Sequence, residues 1–102
     1  MQAFTPLAGA TSVSATASSV AGTITMPSLA NALHIANTSA TLYVTAKYGV
    51  GAQTATLGGD GITIPPMSQV LVEANNTITH LAAIGSAAGP TAVVFTPARV
   101  QA

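Results

Sequence analysis

The stretch Ala32-Leu-His-Ile-Ala-Asn-Thr-Ser-Ala-Thr-Leu-Tyr-Val-Thr-Ala-Lys-Tyr48 decides the fold. Leu33 and Ile35 share one side of an alternating run over 32–37, and Asn37-Thr38-Ser39-Ala40 supplies turn formers. Alternation resumes over 41–48, with Leu42, Val44 and Ala46 on one side and Tyr43, Thr45 and Lys47 on the other, until Gly49 and Gly51 end it. A period of two is the signature of a half-buried pleated strand. The stretch therefore predicts two strands, the second the hairpin partner of the first.

The same reading extends in both directions. Residues 11–17 alternate, with Val13, Ala15 and Ala17 on one side; residues 20–26 form a second run closed by Pro27. Downstream, 52–57 and 62–64 flank Gly58-Gly-Asp-Gly61, a tight-turn signal, and 67–74, 77–84 and 91–96 complete the series. Ala-rich stretches would favour helix by propensity, but Thr, Ser and Val interleave them and suit a pleated surface better. The spacing predicts an all-β chain: an antiparallel β-sandwich or jelly roll of about eight short strands. The 102 residues amount to a single domain. Residues 1–9 read as an extended N-terminal arm in which Phe4 and Leu7 flank Pro6, and 97–102 as a C-terminal tail after Pro97.

Composition excludes several function classes. Charged residues make up 4% of the chain and the formal net charge is zero, the four charges being Lys47, Arg99, Asp60 and Glu73. Two cations cannot neutralise a run of phosphates, so no nucleic-acid partner and no polybasic membrane contact is expected. The most apolar stretch, Leu81 to Phe95, is interrupted by Gly85, Ser86, Gly89 and Pro90 and falls short of the ~20 residues of a membrane span. Residues 1–23 carry no Lys or Arg and no unbroken apolar segment, so no secretory signal is expected and synthesis in the cytoplasm follows. Without cysteine there is no disulfide framework and no thiolate metal site.

Little is left for catalysis. His34 and His80, the two imidazoles, lie in apolar strands without ligand spacing, which fits half-buried histidines bonded to neighbours better than a metal site. Asp60 sits in a Gly-rich turn with no acidic neighbour to help bind calcium and no nucleophile elbow to serve. No cofactor, no metal and no enzymatic activity are expected. Asn37-Thr-Ser39 and Asn75-Asn-Thr77 match the glycosylation sequon, as Thr-rich chains do by chance.

What the composition favours is contact. Strand edges in free small domains are guarded by charge, and this chain has almost none. Its edges and apolar patches are expected to be covered in an assembly. The candidate interface residues are Phe4 and Leu7 in the arm, the amphipathic rings Tyr43 and Tyr48, and Arg99, the sole guanidinium, placed to meet Glu73 or a partner's carboxylate.

An aliphatic strand ending in Asn-Thr-Ser (Leu33 to Ser39) is followed by an aromatic-bearing strand closing on Gly (Leu42 to Gly49) and a Pro-flanked strand (Ile64 to Glu73). Then come Ile78-Thr-His-Leu-Ala-Ala-Ile84, a Gly-Pro loop and Thr91-Ala-Val-Val-Phe-Thr96. Over residues 11 to 98 this order resembles the small β-sandwich structural proteins of tailed-bacteriophage virions, including capsid decoration (cement) proteins. The resemblance implies a non-enzymatic virion component made in the host bacterial cytoplasm, present in many copies on the capsid surface. Its expected partners are the major capsid protein and itself, as a trimer or another homo-oligomer. A neck- or tail-attached sandwich, or a glycan- or receptor-binding module, are the alternatives. On this reading the arm Met1 to Gly9 reaches a neighbouring subunit, with a span of about 30 Å.

Overall fold

The computed structural model describes residues 4–59, 61–87 and 91–100. Among them there is no helix, and the strands are β1 (Phe4–Pro6), β2 (Thr11–Ala15), β3 (Val20–Thr23), β4 (Ala32–Asn37), β5 (Val44–Gly49), β6 (Ile62–Ile64), β7 (Gln69–Glu73), β8 (His80–Gly85) and β9 (Thr91–Val100). Every pairing is antiparallel. One sheet runs β2-β9-β4-β7, with β1 continuing the β2 edge further along β9, and the other runs β3-β8-β5-β6.

One rule generates this order. The chain is a long hairpin ribbon whose two arms pair β2 with β9, β3 with β8, β4 with β7 and β5 with β6. The registers Thr11↔Phe95, Val20↔Ala83, Ala32↔Glu73 and Val44↔Ile64 keep the arms nearly in step from end to end. Rolling the ribbon adds the lateral pairs β4 with β9 and β5 with β8, which complete the two sheets. This is the connectivity of a jelly roll.

The alternation read from the sequence points into the space between the sheets. Val13, Leu33, Ile35, Val93 and Phe95 from one sheet meet Val44, Ala46, Ile64, Leu81 and Ala83 from the other. Phe95 is the largest fully buried side chain. Its burial contributes roughly 1.5–3 kcal/mol.

Four expectations require correction. First, residues 41–48 are not the hairpin partner of 32–37, because β4 and β5 lie in different sheets. The buried Asn37 makes the corner. Its amide donates to the carbonyls of Leu42 (2.9 Å), Ile64 (3.1 Å) and Pro65 (3.1 Å), and its Oδ1 accepts the Ser39 N–H (3.0 Å).

Second, the extended arm folds back on its own domain. Phe4, Thr5 and Pro6 pair with Val100, Arg99 and Ala98, the Leu7 N–H donates to the Pro97 carbonyl (2.8 Å), and Leu7 packs against the core. Met1–Ala3 and the Phe4 side chain lie outside the described residues. A strand whose own sheet offers an unpaired edge satisfies its backbone there rather than in water.

Third, Pro97 does not begin a tail: β9 continues through it to Val100. Within a strand the N–H and C=O of one residue point the same way. The Pro97 carbonyl faces Leu7, so its missing donor faces that residue too, just past the end of β1. Across from it, Leu33 turns its backbone groups toward β7 and needs nothing from Pro97. Gln101 and Ala102 lie outside the described residues.

Fourth, segment 50–61 forms no strand over 52–57. It is a strap laid across the outer face of the second sheet. The Ala55 N–H donates to Ser19 Oγ (2.9 Å) at the start of β3, and the Gly58 N–H to Thr45 Oγ1 (3.1 Å) on β5, so the segment crosses β8. Thr45 and Ala82 point away from the core yet are fully buried. The strap returns through Gly61 at φ +118°, where a Cβ would sit 2.5 Å from the Ala46 carbonyl oxygen, so only glycine fits. Asp60 lies outside the described residues.

Candidate functional site

The jelly roll sorts its connections to two ends. At one end, the turns after β2, β4, β6 and β8 are bonded together: Met67 N–H to the Ser39 carbonyl (2.8 Å), Ser86 N–H to the Tyr43 carbonyl (3.0 Å) and Gly85 N–H to the Thr16 carbonyl (2.8 Å). Ser39 Oγ adds bonds from the N–H groups of Thr41 (3.2 Å) and Leu42 (2.9 Å). This fixed platform presents Tyr43, 42% exposed, and Met67, 72% exposed. Met67 holds a left-handed backbone, φ 55°, which costs a non-glycine residue about 1–2 kcal/mol. It follows Pro65 and Pro66, so the chain sets an apolar side chain outward at some cost in strain.

The opposite end gathers the connections after β3, β5 and β7. An open notch of about 250 Å³ lies there, lined by Ala30, Asn31, Glu73, Ala74, Asn75 and Asn76. Its amides have structural work. Asn31 donates to the Val100 carbonyl (3.1 Å) and accepts the Val100 N–H (2.7 Å), and Asn76 donates to the Ser28 carbonyl (3.0 Å). Asn75 Oδ1 accepts from both the N–H (3.1 Å) and the hydroxyl of Thr77. The notch thus offers a single carboxylate, Glu73, among amides already engaged. Of the two sequon asparagines, Asn37 is buried and Asn75 is tied into this turn.

The interface residues expected from the sequence are dispersed. Leu7 packs half-buried on its own core. Tyr48 also packs against the core, and its hydroxyl donates to the Glu73 carbonyl (3.0 Å), closing the side of the sandwich beyond β6. Burial and then the nearby Glu73 carboxylate raise the Tyr48 phenol above its ordinary value. The exposed Arg99 donates from Nη1 to the Leu29 carbonyl (3.0 Å), so within the chain it meets a carbonyl, not the Glu73 carboxylate. Of the expected set, Tyr43 and Arg99 are exposed, and Tyr43 stands on the platform, to which the structure adds Met67, a residue that the alternation reads as a strand start.

The histidines sit on opposite outer faces. His34 Nε2 is 2.9 Å from Gln69 Oε1 on the first sheet, and His80 Nδ1 is 2.7 Å from Thr79 Oγ1 on the second. Among the described residues no three His, Cys, Asp or Glu side chains come together as a metal set. No helix among them is long and apolar enough to cross a membrane.

The two outer faces differ. The strap covers much of the second sheet, whereas the first shows Leu71, His34 and Thr96 in one row and Gln69, Ala36, Val94 and Ser12 in the next. This face carries Glu73 as its one charge away from the β1 end. Comparison with known proteins returns no matching family model, no matching curated protein and no matching solved structure.

Proposed function

We propose that this chain is a non-enzymatic structural component of a tailed-phage virion, a capsid decoration protein that binds the head shell and stabilises it. The observation that carries the reading is the strained, exposed Met67 beside Tyr43, on a platform of cross-bonded turns in a chain with four charged residues. Backbone strain persists where the surrounding structure enforces it and often marks a contact site. A rigid apolar tip suits docking on another protein, and jelly rolls are a common architecture of capsid components. The fold alone does not assign the role.

Quantitative mass spectrometry on purified particles tests it, with this chain's abundance set against the main shell protein. A ratio near one supports decoration of the head. A few copies per particle would move the protein to the neck, the tail or a fibre. Absence from particles would overturn the reading and favour a free glycan- or receptor-binding module. Within a positive result, Met67→Ser and Tyr43→Ser together should reduce particle occupancy while leaving the fold intact.

A further inference from the structure

Among the described residues the β7 edge is the least guarded, and the hydrogen-bond phase of that strand identifies which backbone groups it presents. The Asn37 N–H donates to the Ser68 carbonyl (2.9 Å) and the Ala74 N–H to the Asn31 carbonyl (3.2 Å), bracketing the β4–β7 ladder. In an antiparallel ladder, hydrogen-bonded pairs alternate with non-bonded ones. Ser68, Val70, Val72 and Ala74 therefore turn their N–H and C=O groups toward β4. Gln69, Leu71 and Glu73 turn theirs outward, where the sheet ends.

The other edges are blunted. β6 has three residues and runs into Pro65 and Pro66. At β3, the Thr23 carbonyl accepts the Thr11 hydroxyl (3.2 Å), and the strap is anchored on Ser19 beside the strand. β2 packs beside β3 at the corner of the sandwich. β7 has five residues with no proline and no lysine; of the devices by which proteins protect an edge it carries a single charge, Glu73, at its end. The Tyr48 hydroxyl takes one lone pair of the Glu73 carbonyl and leaves the other.

We infer that β7 is a self-association edge: two copies of this chain pair β7 to β7, antiparallel about a two-fold axis at Leu71. This register is self-complementary. Leu71 faces its own copy, and the outward backbone groups of Gln69 lie opposite those of Glu73 in the second copy. Side chains agree with backbone. Gln69 uses Oε1 toward His34, which leaves its NH₂ to donate to the second copy's Glu73 carboxylate. Carboxylate faces amide rather than carboxylate, and Leu71 and Leu71 cover each other on the outer face. Val70 and Val72, both half-buried at the rim of the core, lose further exposure. Two five-stranded sheets become one continuous sheet. The inference does not depend on the virion reading.

Sedimentation equilibrium from micromolar to millimolar protein tests it, together with amide hydrogen exchange at low and high concentration. The wild type should form a reversible dimer, with exchange at Gln69, Leu71 and Glu73 slowing as concentration rises. Leu71→Lys should weaken the dimer at least about tenfold. Leu71→Pro should abolish it while keeping the fold, because the lost N–H points away from β4. Ser12→Lys, on the β2 edge, should leave the dimer unchanged. A wild type that stays monomeric or forms trimers would overturn the proposal. So would a dimer that survives both Leu71 variants, or one weakened equally by Ser12→Lys. Should the Leu71 variants unfold, concentration-independent exchange at the three amides would overturn it on the wild type alone.

Discussion

Asn37 shows how far one side chain reaches in a fold of this kind. Its amide and Oδ1 tie the end of β4 to the start of β5 and to the end of β6 in the opposite sheet. Asn37→Ala leaves buried carbonyls without donors, at about 1–3 kcal/mol for each group that water cannot reach. A loss of about 2–4 kcal/mol in urea unfolding is the expected outcome. Tyr48 gives the pH dependence. Its phenol is held neutral in the fold above the ordinary value of 10.0, by burial first and Glu73 second. The unfolded phenol releases its proton first as pH rises. The stabilisation is therefore complete below 10.0 and declines as pH climbs from there through the folded value. Urea midpoints at stepped pH should fall on that limb, and Tyr48→Phe should flatten it while costing about 1 kcal/mol at neutral pH.

Strand existence was legible wherever alternation was strong, and strand partners were not. β4 runs over the residues expected of it, and Leu33 and Ile35 point into the core, because a two-residue period is local information. Asn37-Thr-Ser-Ala40 has hairpin composition but turns a corner between sheets, since the acceptors that decide it, at Ile64 and Pro65, lie far along the chain. Pro97 reads as a strand end because its missing donor weighs against a strand interior. The position of the β1–β2 break, which makes proline tolerable there, is a tertiary fact. The N-terminal segment follows the same logic: its partner, the far end of β9, is the most distant piece of chain it could have chosen. Removing residues 1–9 should therefore cost stability, about 2 kcal/mol for the lost Leu7 packing and β1 ladder. A reaching arm could be removed with no change in thermal midpoint, and that is the result that would restore the earlier expectation.

At the scale of the whole molecule, the rolled ribbon makes nearly all pairing non-local. The closing pair, Phe4 with Val100, joins the two ends of the described chain. Loop closure must precede reward in such a topology, so refolding is expected on the millisecond-to-second scale typical of all-β sandwiches. Stopped-flow refolding followed by tyrosine fluorescence checks it; microsecond folding would show that local structure forms first. The candidate site is a whole-molecule property as well. The sequence leads to the expectation of a charge-poor surface suited to contact, but which edge is least guarded follows only from ladder phase and from where strap, prolines and Tyr48 fall. The meeting of Phe4 and Val100 has a further consequence. Polypeptide entering and leaving the domain passes through one corner, with its two attachment points a strand's width apart. The fold is thus a cassette. A host protein could carry it spliced into a surface hairpin without having its own anchors prised apart. Joining the ends and opening the chain within 50–61 would reverse the order of the halves yet keep every rung of the ladder in place.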